Sequence, residues 1–464
     1  MAQRDLTEGP VWKALSSLSA PMSFGILAVL SIGVVDSYFL GRLGETPLAA
    51  IGFIFPVTTA FSSLAIGLSA GANAAVSQSL GRDDPKDQTA RYALHAFGMG
   101  IGLAAVIAFA VWAFHTTLFE LMGAGPKVSE EISQYMPFWA MSFPLLAAMM
   151  IVNAVFRAYG NGAISAAIMV LSAIVNIALD PLFIFGWGPV PGFGTEGAAI
   201  ASAIARTTAA AAAVWYAWRK GYLNFAVKIW VDVRESVMQL IRVSAPAAFS
   251  NAINPAGMAF VTAAVATLGD AAVAGFGAAT RIQSVATVAL FALSAGIGPV
   301  VGQNWGAEKK DRARTAVWQS WLFCVAYGSF VGLVLFLFAD PIAKAIASDA
   351  NAAEFTRQYI AWVGWSMIGY GIIVTTNAAM NARSKAVHSM VLSLLRIFAV
   401  YLPLAWLGVW FFGYSGILLA AIAANVFAVF GSMVAARSVD LFQTEASVIA
   451  APANMISKTK REFT

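Results

Sequence analysis

Residues 15–40, LSSLSAPMSFGILAVLSIGVVDSYFL, form an apolar stretch in which Asp36 is the only charged residue. A helix needs about 20 mostly apolar residues to cross the hydrocarbon core of a bilayer. This stretch is long enough to do so. It is also longer than the apolar region of a signal peptide, and unlike that region it contains a carboxylate. We therefore predict that residues 15–40 are a membrane-spanning helix and not a cleaved leader.

The composition of the whole chain excludes a soluble globular protein. Of its 464 residues, 59% are hydrophobic and 11% are charged, whereas a soluble domain carries about 25% charged residues. The single cysteine, Cys324, lies in an apolar stretch, so neither a disulfide framework nor a Cys-ligated metal site is expected. The three histidines are scattered along the chain, and we predict no cofactor and no bound metal apart from a coupling ion.

Apolar segments of similar length recur along the chain, and they predict an all-α polytopic membrane protein with 12 transmembrane helices. In the first half they lie near residues 15–40, 49–79, 90–115, 128–157, 162–186 and 196–219. In the second half they lie near residues 237–268, 271–304, 314–338, 354–381, 386–411 and 415–437.

Lysine and arginine are unevenly distributed over the connections between these segments. Fifteen lie after even-numbered helices and five after odd-numbered helices. Because basic residues favour the cytoplasmic side of a membrane, we predict a multi-pass protein of the bacterial plasma (inner) membrane with both termini in the cytoplasm. Topology accounts for the basic bias, so the lipid bilayer is a predicted partner and nucleic acid is not.

The two halves of the chain repeat each other at an offset of 225 residues. Residues 19–21 (Ser-Ala-Pro) recur at 244–246, and residues 69–71 (Ser-Ala-Gly) recur at 294–296. Further identities at the same offset are Phe24 and Phe249, Val76 and Val301, Gln78 and Gln303, and Gly81 and Gly306. So many matches at one offset indicate an internal duplication.

Six helices per half is an even number, so both halves enter the membrane from the same side. We predict parallel repeats, related by an axis along the membrane normal, that enclose a central cavity. The predicted parts are an N-lobe (1–219), a cytoplasmic linker (220–236), a C-lobe (237–438) and a cytoplasmic tail (439–464). This architecture favours a monomeric transporter over an enzyme, and the chain lacks the phosphate-binding loop of an ATP-driven pump.

Asp36 is the first candidate functional residue. A charge at this depth costs about 2.5–3.5 kcal/mol on insertion scales, and the repeat pairs Asp36 with Val261. The carboxylate therefore belongs to one lobe only, and we favour a functional role over the alternative of a structural partner for an arginine.

The second candidate is Asp180, which follows Asn176 by four residues on one face of helix five. The next residue, Pro181, should kink the helix and free backbone oxygens beside the acid. The alternative is that Asp180 lies near the outer interface in contact with water. Two neighbouring carboxylates would repel each other when both are ionised, so the pair is expected to take up protons as a unit. Arg206 and Arg396 are the other mid-membrane charges, and Arg206 could instead neutralise one of the acids.

In these residues the chain resembles the multidrug and toxic compound extrusion (MATE) family, and the resemblance covers nearly its whole length. The local matches are Val35-Asp36-Ser37-Tyr38-Phe39-Leu40-Gly41-Arg42-Leu43-Gly44 in helix one, Asn176-x-x-x-Asp180-Pro181-Leu182-Phe183-Ile184-Phe185-Gly186 in helix five and Gly194-x-x-Gly197-Ala198-Ala199-x-Ala201-Ser202 in helix six. The family implies export of small amphipathic or cationic organic compounds by alternating access, in exchange for H⁺ or Na⁺.

The resemblance is to the DinF-like branch of that family, whose acids lie in the N-lobe. It implies a proton- or cation-binding site formed by Asp36, Asn176, Asp180 and Ser202, the last in place of the threonine usual in the family. The C-lobe acids of the NorM-like branch are missing, since helix seven offers Val261 and Pro255 and helix ten offers Asn377.

Three further residues receive roles from the resemblance. Asn153 and Met169 would line the substrate cavity, and Pro21 would be a hinge in helix one. Because Pro21 has a repeat partner in Pro246, a bend shared by both lobes is an alternative to a moving hinge.

The leading hypothesis is therefore multidrug or organic-cation export coupled to H⁺ through the N-lobe carboxylates. Two alternatives remain within transport: Na⁺ coupling at the same site, and a flippase for lipid-linked precursors, which would need more cavity arginines than Arg206 and Arg396. The exact substrates are not predictable from this sequence. A membrane enzyme or a channel is disfavoured, because neither an interfacial constellation of His, Asp or Glu nor a ring of charges or filter sequence is found.

Overall fold

A computed structural model describes residues 5–347 and 349–443. Within these residues the chain forms long helices joined by short connections, as the all-α prediction requires. Residues 444–464, which hold most of the predicted cytoplasmic tail 439–464, lie outside the described part of the chain.

The predicted N-lobe consists of six helices. They are α1 (Val11–Leu43), α2 (Glu45–Gly81), α3 (Lys86–Leu121), α4 (Pro126–Ala158), α5 (Gly162–Phe185) and α6 (Thr195–Arg219). Each extends to or beyond most of its predicted bounds, because the helices continue out of the apolar stretch to the polar residues of the connections.

The predicted C-lobe is more interrupted. It contains α7 (Val233–Ala266), α8 (Asp270–Ala286), α9 (Val288–Gly306), α10 (Lys310–Leu337), α11 (Ala339–Ile346), α12 (Ala350–Val363), α13 (Met367–Ala382), α14 (Ala386–Leu394), α15 (Leu402–Phe412) and α16 (Tyr414–Ser438). The first of these begins four residues before the predicted end of the linker 220–236, so residues 233–236 are helical.

Several predicted single helices are broken in the structure. The span predicted at 271–304 bends by 43° between α8 and α9. The span at 354–381 is interrupted by a 3₁₀ turn, Gly364–Ser366, and the span at 386–411 contains a π-helical segment, Leu395–Tyr401. Hydropathy alone carries no signal for such breaks, because they do not change the apolar character of the segment.

The helices account for the predicted membrane spans. Among the described residues, ten helical segments are long and apolar enough to cross a bilayer, and the bent pair α8–α9 makes an eleventh. The remaining long helix, α7, has 34 residues, but Ser250, Asn251 and Asn254 lower the hydropathy of its middle.

The backbone repeats at the same offset as the sequence. Gly44 and Gly269 are repeat partners, and both adopt a positive φ, of 145° and 101°, just before α2 and α8. Asp83 and Glu308, also repeat partners, are left-handed with φ of 56° and 58°. Since few residues other than glycine adopt this conformation, its recurrence shows that the turns after α2 and α9 are built alike.

The two sets of helices touch at the end of the molecule where α1 begins and α2 ends. There α2 packs against α7 and α9, and α1 packs against α9. Repeat-related glycines allow the close approach: a Cβ at Gly81 would lie 2.0 Å from the carbonyl oxygen of Gln303, and one at Gly306 would lie 2.3 Å from that of Gln78. This end is therefore closed, with backbone against backbone.

The opposite end is open. Gly52 and Gly277, repeat partners near that end of α2 and α8, would meet no atom within 4 Å of a Cβ among the described residues. The helices that pack against α8 are α7, α9, α11 and α12, all in the C-lobe. At this end the lobes therefore lie apart at α8, in contrast to the closed end, where α2 packs against α7 and α9.

Candidate functional site

The site lies between α1 and α5, which pack closely along their length. Asp180 is fully buried and Asp36 is half-buried. The alternative in which Asp180 touches water at an interface is therefore wrong for this structure. The two carboxyl groups lie close enough to interact electrostatically with each other, although they are 144 residues apart in sequence.

Each acid keeps one buried carboxyl oxygen without a hydrogen-bond donor. Oδ1 of Asp36 and Oδ2 of Asp180 have no partner among the described residues. Buried polar atoms are nearly always paired, so these two oxygens remain available to a proton, a cation or a water molecule.

Asn176 links Asp180 to α6. Its Nδ2 donates to Oδ1 of Asp180 at 3.3 Å and to Oγ of Ser202 at 3.2 Å. All three side chains are buried. The structure therefore brings together the four residues that the resemblance implied, Asp36, Asn176, Asp180 and Ser202.

The approach of α6 to α5 depends on Gly197. A Cβ at this position would lie 2.2 Å from the carbonyl oxygen of Phe183, so only glycine allows this contact without displacement. Ser202, five residues further along α6, is thereby brought beside Asn176.

Arg206 does not form an ion pair with either acid. Its Nη1 donates to Oγ of Ser142 on α4 at 2.8 Å. The ion pairs found within the described ranges all lie at helix ends or in connections, and they include neither Asp36 nor Asp180. The alternative in which Arg206 directly neutralises the site is not what the structure shows.

The other predicted site residues lie apart from this cluster. Met169 is half-buried on α5. Its Sδ would lie 3.2 Å from a Cβ added to Gly25 of α1. It also belongs to the small apolar cluster that includes Ala292 and Ala295 of α9. Asn153 on α4 is only 3% exposed, and its Oδ1 has no partner in the described part of the chain. Pro21 lies inside α1, which runs unbroken from Val11 to Leu43.

Tyr135 is a site neighbour that sequence reasoning missed. This buried residue of α4 lies near Ser202 and the two acids. Its position in an apolar helix, with no motif around it, gives no signal that it adjoins the acids.

A family model described as MatE matches residues 21–182 and 246–407, two segments of equal length that begin 225 residues apart. Together they cover most of the chain. The chain belongs to the MATE family of transporters. The internal duplication inferred from the sequence is thus the duplication of that family, and the chain is a multi-pass membrane transporter of an efflux family and not an enzyme.

Two relatives cover nearly the whole MATE chain. The FAD transporter of Shewanella oneidensis is 34% identical over 423 residues, which are 91% of this chain and 93% of the relative. The multidrug export protein MepA of Staphylococcus aureus is 22% identical over 90% of this chain and 92% of its own. Both similarities extend over the two lobes.

Solved structures confirm the fold. The Vibrio cholerae MATE transporter VcmN in the bent form superposes with a TM-score of 0.87 at 28% identity, covering 93% of this chain and 98% of that one. An outward-facing multidrug-resistance MATE transporter superposes with a TM-score of 0.89 at 23% identity, over 95% and 98% of the two chains.

Proposed function

We propose that this MATE transporter exports small organic molecules in exchange for protons, with Asp36 and Asp180 as the proton site. The observation that carries the proposal is the pair of buried carboxyl groups, each with one oxygen that lacks a donor. Two such groups in a low-dielectric interior cannot both hold a negative charge at low cost. A proton is the smallest ligand that satisfies them.

The proton would couple to transport through the state of this pair. With a proton bound, the acids share it and α1 and α5 can stay close. Without it, the carboxylates repel each other, and the site attracts a cationic group. Asn176 holds Asp180 from one side, so the change should be transmitted mainly to α1 through Asp36.

The proposed orientation places both termini in the cytoplasm of a bacterial cell, with the chain in the inner membrane. The closed end then faces the cytoplasm, and the structure is the outward-facing state. Transport requires this end to open and the other to close, with the two lobes rocking about the central cavity.

Na⁺ is the competing coupling ion. Carboxylate and amide oxygens suit a hard cation, and Oδ1 of Asn176 also lacks a partner in the described part of the chain. Against it, Nδ2 of Asn176 points at both Asp180 and Ser202, so an amide N–H and not an oxygen faces these two groups.

The substrate has two candidates. Amphipathic organic cations follow from the N-lobe acids and agree with the name of MepA, the multidrug exporter. A flavin nucleotide is the second candidate, because the FAD transporter is 34% identical over 91% of this chain, whereas MepA is 22% identical.

The experiment is efflux from loaded proteoliposomes under an imposed gradient of either H⁺ or Na⁺. Wild type should move substrate with the proton gradient alone, and Asp36→Asn should not. Asp270→Asn is the matched control, because Asp270 is an exposed acid at the start of α8. Transport that follows only the sodium gradient would overturn the proton assignment.

A further inference from the structure

The C-lobe holds a positive charge deep among its helices, at Arg396. The residue lies in the π-helical segment Leu395–Tyr401 and is 7% exposed. Its Nη1 donates to Oδ1 of Asn254 at 3.1 Å, and its Nη2 donates to Oδ1 of Asn425 at 2.9 Å. The guanidinium also lies over the ring of Tyr370, 5.2 Å from the ring centroid. These three neighbours are neutral.

The charge of Arg396 has no counter-charge in the described part of the chain. None of the ion pairs among those residues includes it, and its buried Nε has no hydrogen-bond partner there. A guanidinium offers five N–H donors, and burying a charge costs several kcal/mol unless an opposite charge compensates. Two asparagine oxygens satisfy only part of this requirement, so the donor set is incomplete without an anion.

The segment that carries Arg396 is itself unusual. π-helical turns are rare and occur often at functional sites, and this one interrupts an otherwise apolar span between α14 and α15.

The ring that covers Arg396 belongs to α13, and one face of this helix is only partly covered. The helix α13 is packed on its flanks by α9, α10, α14 and α16, and it also contacts α2 of the N-lobe. Between Gly369 and Ala382 the partly exposed residues are Tyr370, Val374, Asn377 and Ala378. Their spacing places them on one face of the helix. Tyr370, whose ring lies over Arg396, is therefore on the partly exposed face of α13.

The N-lobe has no counterpart of this cluster. At the offset of 225 residues, Arg396 falls on Leu171 and Asn254 falls on Val29. Asp36 falls on Val261. Each lobe thus has charged residues that its repeat partner lacks. They are carboxyl groups in the N-lobe and a guanidinium in the C-lobe.

We propose that Arg396, positioned by Asn254 and Asn425, binds the phosphate or carboxylate group of an organic substrate in the C-lobe. Nε and the remaining N–H of a neighbouring nitrogen would form the two-pronged contact that guanidinium makes with such oxyanions. This inference rests on the proposed export function and assigns the substrate an anionic group. The N-lobe acids would then serve the proton and the C-lobe the substrate anion.

Riboflavin 5′-phosphate and riboflavin are suitable probes, because they share one fluorescent ring system and differ in a phosphate. Binding is measured by flavin fluorescence on the full chain in phosphatidylcholine nanodiscs. Wild type should bind the phosphate ester at least about tenfold more tightly than riboflavin. Arg396→Gln should remove this preference and leave riboflavin binding unchanged. Arg396→Lys keeps the positive charge but not the paired N–H donors of the guanidinium, and it should retain a few-fold preference.

Two further variants separate folding and coupling from anion binding. Asn254→Ala leaves Arg396 in place and should weaken the preference for the phosphate ester by a few-fold, so the test does not depend on a variant that fails to fold. Asp36→Asn should keep the full preference while losing proton-driven efflux, so that failure of the proton site and failure of the anion site are distinguishable.

Equal binding of the two flavins by wild type, or a preference that survives in Arg396→Gln, would overturn the proposal. A lipid headgroup is the other source of the same chemistry. If nanodiscs with phosphatidylglycerol raise the unfolding temperature of wild type but not of Arg396→Gln, and the flavins still bind equally, the site belongs to a lipid and the substrate assignment is wrong.

Discussion

Gln78 and Gln303 make the same hydrogen bond in opposite directions across the closed end. Nε2 of Gln78 donates to the carbonyl oxygen of Ala382, the last residue of α13, and Nε2 of Gln303 donates to that of Ala158, the last residue of α4, at 2.7 Å. The two glutamines are repeat partners. Each therefore caps a helix of the opposite lobe, whose terminal carbonyls have no partner within the helix.

Loss of either glutamine should weaken closure. In the open state the glutamine amide and the carbonyl oxygen can both bind water. In the closed state of Gln78→Ala or Gln303→Ala the carbonyl oxygen loses its donor, which should destabilise the closed state by about 1–3 kcal/mol relative to the open state. A cost in this range shifts the equilibrium toward opening by about fivefold to 150-fold. Spin labels at the exposed positions Asp87 and Asp311 should then show a larger population of long distances by double electron–electron resonance.

The wild-type chain has one cysteine, Cys324, which is buried, so engineered cysteines can be labelled selectively. Gln134→Ala is the matched control, because Gln134 is exposed on α4. A second label pair at Glu45 and Asp270, repeat partners at the open end, should report shorter distances when the closed end opens. Unchanged distributions in both glutamine variants would show that these bonds do not hold the lobes together.

Gly81→Ala should hinder closure by steric contact. The added Cβ would lie 2.0 Å from the carbonyl oxygen of Gln303, a distance that requires the backbones to separate. We expect efflux to fall severalfold and the Asp87–Asp311 distance to increase. Gly52→Ala adds the same methyl group where no described atom lies within 4 Å, and it should retain most of the activity. Similar efflux in the two variants would contradict a closure based on backbone contact.

Ser202→Ala should lower proton-driven efflux by about fivefold to 150-fold, because Nδ2 of Asn176 would lose one buried acceptor at a cost of about 1–3 kcal/mol. Ser202→Thr keeps the hydroxyl group and should retain at least about half of the activity on the same estimate. The initial rate of efflux at a fixed pH gradient provides the measurement. If both variants behave alike, the hydroxyl group has no part in the site.

Pro21→Ala tests whether α1 bends during transport. Proline lacks the N–H that would bond the carbonyl of Ser17, so a bend at this position costs little, and alanine should make it costlier. Efflux should fall in Pro21→Ala and less in Pro246→Ala, the repeat partner inside α7, because α1 carries Asp36 and α7 carries no acid at the matching position. Equal loss in both variants would indicate a structural bend shared by the lobes.

The sequence predicted the number, order and approximate bounds of the spans, because membrane helices are long, apolar and separated by charged connections. It also predicted that Asp36, Asn176, Asp180 and Ser202 belong together, but only through the resemblance to a family. From spacing alone, Asn176 and Asp180 share a helix face, and nothing in the sequence brings α1 to α5.

Contacts between lobes were beyond prediction for a physical reason. The repeat offset shows that Gln78 and Gln303 correspond to each other. It does not show that each caps a helix of the other lobe, because a polar residue near a membrane surface looks the same in sequence whether it caps a helix or faces water. The neighbours of Arg396 come from α7, α13 and α16, and the π-helical segment around it leaves no mark in hydropathy. The shape of such clusters depends on helix packing that single-sequence patterns do not encode.

The central claim is that the Asp36–Asp180 pair carries the proton that drives export. The most direct test compares net efflux under a pH gradient with substrate-for-substrate exchange at equal pH, for wild type, Asp36→Asn and Asp270→Asn in proteoliposomes. The claim predicts that Asp36→Asn loses gradient-driven efflux at least about tenfold, as expected when an essential protonatable group is removed, but keeps exchange, while Asp270→Asn keeps both. Gradient-driven efflux by Asp36→Asn at the wild-type rate would contradict it.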